Sequence, residues 1–60
     1  MTPRERQVLR LAATGMTYRE IAAALGISER TVKVHHENIY RAMGVRNKTE
    51  AFIKMGWLMT

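Results

Sequence analysis

Residues that start and stop helices recur at short intervals along this chain. Thr2 stands three residues before Glu5, the spacing of a capping box, and Pro3 suits the first helical turn. Thr17 and Glu20 repeat the same spacing fifteen residues later. A chain with helix-starting and helix-ending residues this close together can form only short helices joined by short connections.

The remaining boundaries complete a four-helix prediction. Ser28 is suited to cap a third helix, and Asn47 with Glu50 opens a fourth. Each predicted helix is followed by a glycine: Gly15, Gly26, Gly44 or Gly56. No strand-like alternation competes, so we predict an all-α fold with helices at about 3–14, 18–25, 29–43 and 48–55.

Length and composition limit what the chain can be. Sixty residues form one small domain, 1–60, with little room for an enclosed active site. The absence of Cys excludes disulfides and thiolate metal sites. The apolar runs are too short to cross a bilayer, and the N-terminal residues lack the apolar core of a signal peptide. We therefore expect a soluble, cytoplasmic domain.

Positive charge is concentrated in one part of the chain. Ten Lys and Arg face five acids, and the interval 30–48 holds five basic residues against Glu37 alone. This concentration predicts a polyanionic partner, most simply nucleic acid, whereas a solvated basic face is the alternative.

The second and third predicted helices have the spacing of a helix-turn-helix. Ala22 is small where the helices would cross, Gly26 permits the turn, and Val32 is a β-branched contact residue. Further apolar contacts are expected from Ile21, Leu25 and Ile27. An ordinary helical hairpin is the alternative.

The third helix is predicted to have two faces. The core stripe is expected at Val32, His35, Ile39 and Met43. The outer face is expected at Arg30, Lys33, Val34, Glu37 and Arg41. Such a face suits a DNA major groove: Lys33 can donate to guanine or to phosphate, and Val34 is either a contact for a thymine methyl or simply an exposed valine.

Glu37 is the one acid that no helix start explains. It is four residues from both Lys33 and Arg41, so it can form an intrahelical ion pair. It can also accept a hydrogen bond from cytosine N4. We favour the ion pair, and the two roles are compatible.

The adjacent histidines do not predict a metal site. Neighbouring residues point about 100° apart on a helix, and no cysteine is available. We expect His35 to pack in the core and His36 to lie at the groove margin, where it would touch phosphate. No nucleophile–base arrangement, phosphate loop or carboxylate pair is present, so we predict neither an enzyme nor a bound cofactor or small-molecule ligand.

Three segments closely resemble the LuxR/GerE-type DNA-binding domain. They are TPRE at the start, EIA…LGIS…TVK in the middle, and N-I-x-x-x-M-G-V-x-N-x-T-E-A at the end. The resemblance spans residues 2–51. It implies a four-helix bundle whose third helix reads the major groove. It also implies a fourth helix that forms a dimer contact on repeated half-sites.

The resemblance implies a setting and a set of contact residues. Such domains are C-terminal output modules of bacterial response regulators and quorum-sensing regulators, with double-stranded DNA, a second copy and RNA polymerase as partners. We assign base-facing positions to Lys33, Val34 and Glu37, although an acid at position 37 departs from the frequent family pattern. We assign phosphate contacts to Arg30, Thr31, His36, Arg41, Arg46 and Lys48.

The end of the chain also departs from the family pattern. Gly56 comes about one turn earlier than in many relatives. The dimer contact is assigned to Thr49, Phe52 and Met55. Core or end packing is our main interpretation of Phe52, Ile53, Trp57 and Leu58.

Two other functions share parts of this pattern. A promoter-reading domain of a sigma factor has a similar middle segment, but it usually continues into a basic tail rather than another capped helix. A protein-interaction adaptor would expose an apolar stripe on the third or fourth helix, whereas the predicted outer face here is mostly charged.

Overall fold

The structure, a computed structural model, describes residues 1–57. Four helices occupy this range: α1 (Pro3–Ala13), α2 (Tyr18–Leu25), α3 (Glu29–Met43) and α4 (Lys48–Met55). No strand occurs among the described residues. The predicted all-α class is confirmed, and the bounds of α2, α3 and α4 agree with those predicted.

The first helix ends one residue earlier than expected. Thr14 is its C-cap. The Thr14 hydroxyl donates to the Leu11 carbonyl at 2.6 Å, and the Thr14 N–H donates to the same carbonyl at 3.1 Å. Because a threonine side chain can satisfy a backbone acceptor in this way, it offers the chain an alternative to a further helical turn.

The predicted capping boxes at α1 and α2 are both present. The Thr2 N–H donates to Glu5 at 2.9 Å, and the Thr17 N–H donates to Glu20 at 2.8 Å. The return hydrogen bonds from the glutamate N–H groups to the threonine hydroxyls are also formed. The hydrogen bond from the Thr17 backbone is the main reason why the pKa of Glu20 lies below its usual value.

The fourth helix begins differently from the predicted box. The Asn47 side chain accepts a hydrogen bond from the Glu50 N–H at 2.9 Å, as expected. The Glu50 carboxylate, however, accepts from the N–H of Arg46 at 2.9 Å, one residue earlier than a capping box requires. Only the Asn47 half of the capping box is therefore formed. The hydrogen bond from Arg46 to Glu50 instead ties the α3–α4 connection to the first turn of α4.

The core lies around α3, which packs against each of the other three helices. Its apolar members are Val8, Leu9, Ala12, Ile21, Ala22, Val32, Ile39, Ala51 and Phe52. The expected contact residues Leu25 and Ile27 are partly buried against this cluster. On α1, Leu9 is completely buried, and Leu11 lies at the edge of the core.

Aromatic packing closes the bundle near the end of α4. The rings of Phe52 and Trp57 lie 6.2 Å apart, and the Arg10 guanidinium lies 4.6 Å from the centre of the Trp57 ring. Core or end packing is thus confirmed for Phe52 and Trp57. It is wrong for Ile53, whose exposure is 41%. Leu58 lies outside the described residues.

The turn of the helix-turn-helix depends on Gly26. Gly26 has φ +69°, and nothing lies within 4 Å of the position that a Cβ would take. We therefore expect Gly26→Ala to cost about 1–2 kcal/mol through backbone strain alone. Asn, which tolerates this conformation better, should cost less, and β-branched Val should cost more. Urea unfolding followed by circular dichroism measures the series.

An equal loss for Asn, Ala and Val would contradict this origin of the strain.

Candidate nucleic-acid interface

The outer face of α3 is built by the helix start and the core stripe together. The Ser28 hydroxyl accepts from the Thr31 N–H at 3.0 Å and fixes where the helix begins. Val32 and Ile39 are completely buried, so the opposite side of the helix faces solvent. Six predicted contact residues are exposed there: Arg30, Thr31, Lys33, Val34, Glu37 and Arg41.

A shallow depression gathers several of these residues. It is lined by Tyr18, Glu29, Arg30, Lys33, Val34 and Glu37. The three residues predicted to face bases therefore share one concave surface. Val34 is 44% exposed in it, an apolar side chain among charged ones.

Two lining residues, Glu29 and Tyr18, were not among the predicted contact residues. Glu29 is the first residue of α3, whereas Tyr18 comes from another helix. It is the first residue of α2, directly after the Thr17 cap, and it is only partly exposed. In a helix-turn-helix the two helices pack against each other, so a large side chain on α2 can reach the edge of the α3 face. The size and position of Tyr18 were the available signal.

The expected ion pair of Glu37 is not formed. Across residues 1–57 the single ion pair joins Arg46 and Glu50, at 3.2 Å. A pair between side chains four residues apart on a helix is worth only a few tenths of a kcal/mol, which is less than thermal energy, so exposure to water outweighs it. The expectation of pairing with Lys33 or Arg41 is therefore wrong, and the Glu37 carboxylate is open to a partner.

The same absence of ion pairs leaves basic groups available. Arg30, Lys33 and Arg41 have no carboxylate partner within the described range. Arg46 is paired, yet its side chain is 88% exposed, and Lys48 is exposed at the start of α4. The Thr31 hydroxyl already lies 2.8 Å from the Ser28 hydroxyl. Five positive side chains therefore remain accessible near α3 and the α3–α4 connection.

The assignments of the two histidines are reversed in the structure. His36 is completely buried, so the prediction that it touches phosphate is wrong, whereas His35 is partly exposed. On a helical wheel His36 lies about 40° from Val32 and about 60° from Ile39, whereas His35 lies about 60° and about 40° from them, so the wheel does not separate the two histidines. Burial is the main reason why the pKa of His36 lies below its usual value.

One of the three residues predicted to form the dimer contact, Phe52, is buried. Phe52 is only 8% exposed and belongs to the core, so its side chain is not a surface for a second copy. Thr49 is exposed and Met55 is partly buried. Ile53 lies one turn after Thr49 and is exposed, although the sequence interpretation placed it in the packing.

Two other kinds of site are absent from the described residues. Among residues 1–57, no group of three or more His, Cys, Asp or Glu side chains is placed to hold a metal ion. No helix in that range has both the length and the apolar character needed to cross a bilayer.

Residues 1–55 match the family described as bacterial regulatory proteins, luxR family. The chain belongs to this luxR family. The transcriptional regulatory protein UhpA of Escherichia coli K12 is 48% identical over 59 residues, which cover 95% of this chain and 30% of that protein. The transcriptional activator protein CarR of Pectobacterium carotovorum is 46% identical over 54 residues, covering 90% of this chain and 22% of CarR.

A third luxR-family relative is a nitrate/nitrite response regulator protein homolog of Haemophilus influenzae. It is 47% identical over 53 residues, which cover 88% of this chain and 26% of the relative. The chain thus spans about a quarter of the length of these relatives. All three are named as regulators of transcription or of a response, and the predicted family resemblance is confirmed.

The same substitution should affect the stability of the fold differently at the unpaired Glu37 and at the hydrogen-bonded Glu50. Glu37→Gln should leave the urea midpoint of unfolding unchanged, because the Glu37 carboxylate makes no ion pair with a described residue. Glu50→Gln should lower the midpoint, because the Glu50 carboxylate accepts from the backbone and the side chain of Arg46.

The effect of Glu50→Gln should also depend on pH. The hydrogen bond from the Arg46 backbone lowers the pKa of Glu50 below 4.5, so the stabilisation is present above that pH. It is lost as the pH falls through the lowered pKa of the folded state. A difference between the parent and Glu50→Gln that persists at low pH would contradict this origin.

Proposed function

We propose that this chain is a sequence-specific DNA-binding domain of a bacterial transcription regulator and that α3 enters the major groove. The supporting observation is the shared depression in which Lys33, Val34 and Glu37 lie together on an exposed helix face. A major groove admits one α-helix, and its base edges offer partners for all three side-chain types.

The basic side chains supply affinity without much sequence preference. Arg30 and Arg41 lie on the α3 face without carboxylate partners in the described range, so their full charge can meet phosphate. Lys48 and the exposed Arg46 extend this positive surface to the start of α4. Each phosphate neutralised releases counterions, which makes binding fall as salt rises.

The central residues supply selectivity. Lys33 donates to guanine O6 or N7, and Val34 contacts a thymine methyl. Glu37 accepts from cytosine N4 and repels phosphate when no such donor is present, so it selects against other bases. The missing intrahelical ion pair supports this role, because no described partner competes for the carboxylate.

A second copy of the chain would bind a repeated half-site through α4. Thr49 and Ile53 are exposed one turn apart on this helix, and Ile53 is apolar. Partly buried Met55 lies near the same end of α4. We place the dimer contact on this surface rather than on Phe52.

In the cell, the domain would act as the output part of a longer cytoplasmic regulator, with RNA polymerase as a further partner. The length of the relatives supports this setting, since each is several times longer than the matched region. A sensing or receiver domain would then control when α3 reaches DNA.

Replacing the central residues should reduce selectivity. With a duplex selected from a random library, Lys33→Ala and Val34→Ala should weaken binding to the selected duplex much more than to a scrambled one. A good base contact is worth about 1–3 kcal/mol, so the larger loss should be about tenfold or more. Fluorescence anisotropy titrations at two salt concentrations measure both duplexes.

Arg41→Ala is the matched control for these two variants, because it removes a phosphate contact. It should weaken binding to both duplexes to a similar extent and reduce the salt dependence. Equal losses on both duplexes for Lys33→Ala and Val34→Ala would instead leave only a basic surface and favour a protein-interaction adaptor.

Glu37→Gln should change the selected motif itself. If the carboxylate accepts from cytosine N4, selection with this variant should lose the preference for cytosine at one position in each half-site. An unchanged motif would assign Glu37 no part in base choice.

Ile53→Asp should separate DNA reading from pairing of two copies. Affinity for a duplex with one half-site should not change, because Ile53 lies on α4 away from the α3 depression. Cooperative binding to a duplex with two half-sites should be lost, since a buried unpaired charge opposes the contact. Retained cooperativity would place the dimer contact elsewhere.

A further inference from the structure

His36 is a buried titratable residue within the helix that carries the outer face. Its side chain has no exposed surface, and Nδ1 lies 3.0 Å from the Val32 carbonyl oxygen. A carbonyl can only accept, so Nδ1 carries the proton and donates. Nε2 is then the unprotonated nitrogen, and it has no hydrogen-bond partner within residues 1–57.

The surroundings of His36 favour its neutral form. The Tyr18 ring of α2 lies at a centroid distance of 4.5 Å, and the Tyr40 ring of α3 meets it edge-on at 5.8 Å. The charged or titratable groups that oppose protonation are Lys48 of α4 and His35 of α3. No carboxylate is among the groups that act on His36, so a proton on Nε2 would bring charge into the core without compensation.

Tyr18 connects this buried ring to the proposed DNA contact. Its ring lies against the His36 ring at a tilt of 36°, and the residue also lines the depression that holds Lys33, Val34 and Glu37. Tyr18 is thus a side chain of α2 that contacts both the core position of His36 and the outer face of α3. A change in the protonation or position of the His36 ring can therefore reach the outer face through Tyr18.

We propose that Tyr18, His36 and Tyr40 form a proton-sensitive junction, in which neutral His36 positions α3 against α2 and protonation at Nε2 loosens both this contact and the outer face of α3. His36 is a positioning residue in this scheme, because it touches no partner itself. Only the DNA readout of the proposal depends on the proposed function.

The direction of the pH effect follows from linkage. Burial lowers the pKa of His36 below 6.5 in the folded chain. As pH falls below 6.5, the unfolded chain takes up a proton before the folded chain does, so the folded state loses stability until the pH passes the lowered pKa. For each unit of lowering, the unfolding equilibrium constant should rise about tenfold.

The first test measures the titration of His36 directly in the 60-residue chain. NMR titration of its imidazole signals should give a midpoint below the usual histidine value. The backbone amide signals of Lys33 and Val34 should shift with that midpoint, and these shifts should disappear in His36→Leu. A His36 midpoint at the usual value, or amide shifts at that midpoint that persist in His36→Leu, would overturn the proposal.

The second test compares urea unfolding between about pH 7.5 and about pH 5. The parent chain and the control His35→Gln should both lose stability on acidification, whereas His36→Leu and His36→Gln should lose much less. The two His36 variants differ in polarity, so a packing defect in one does not decide the result. A parent-like pH dependence in both His36 variants would contradict the junction.

The third test adds the selected DNA duplex under the same conditions. In this scheme protonation of His36 loosens the outer face of α3, so acidification should weaken binding by the parent chain more than binding by His36→Leu. Equal changes in the two proteins would separate the junction from the outer face. If neither protein binds DNA at either pH, the proposed function fails, while the NMR and unfolding results still decide the junction.

Discussion

The burial of the apolar stripe on α3 is the constraint on which the other features depend. Val32 and Ile39 are completely buried, and α3 packs against all three remaining helices. A chain of 60 residues buries too little apolar surface to build a separate support for its site. The same helix therefore forms the centre of the core on one side and the candidate nucleic-acid interface on the other.

Helix capping determines where most of the negative charge lies. Glu5 and Glu20 are held by hydrogen bonds at helix starts, and Glu50 is held by Arg46. These carboxylates stabilise backbone groups that would otherwise lack partners. Glu29 lies in the first turn of α3, so Glu37 is the one acid of the chain that no helix start explains.

Local chemistry made the helices predictable, whereas tertiary contacts did not follow from it. The threonine, serine and asparagine caps act within three or four residues, so the bounds of α2, α3 and α4 could be predicted from the sequence. Two features depended on packing between elements: the exposure of Ile53 and the approach of Tyr18 to α3. The reversal of His35 and His36 depended on packing as well, because on a helical wheel each histidine lies about 50° from the midline between Val32 and Ile39. Glu37 forms no ion pair because hydration of the exposed charges offsets their attraction, and the spacing of the residues does not show this.

The position of the aromatic residues gives the chain two separate optical reporters. Trp57 is the single tryptophan, and its ring contacts Phe52 of α4 and Arg10 of α1. Its fluorescence emission therefore reports whether the ends of the bundle are assembled. Tyr18 and Tyr40, the two tyrosines, both flank His36, so their ultraviolet absorption reports on the packing of α2 against α3. Global unfolding and local rearrangement at the interface can thus be followed in the same sample without any added label.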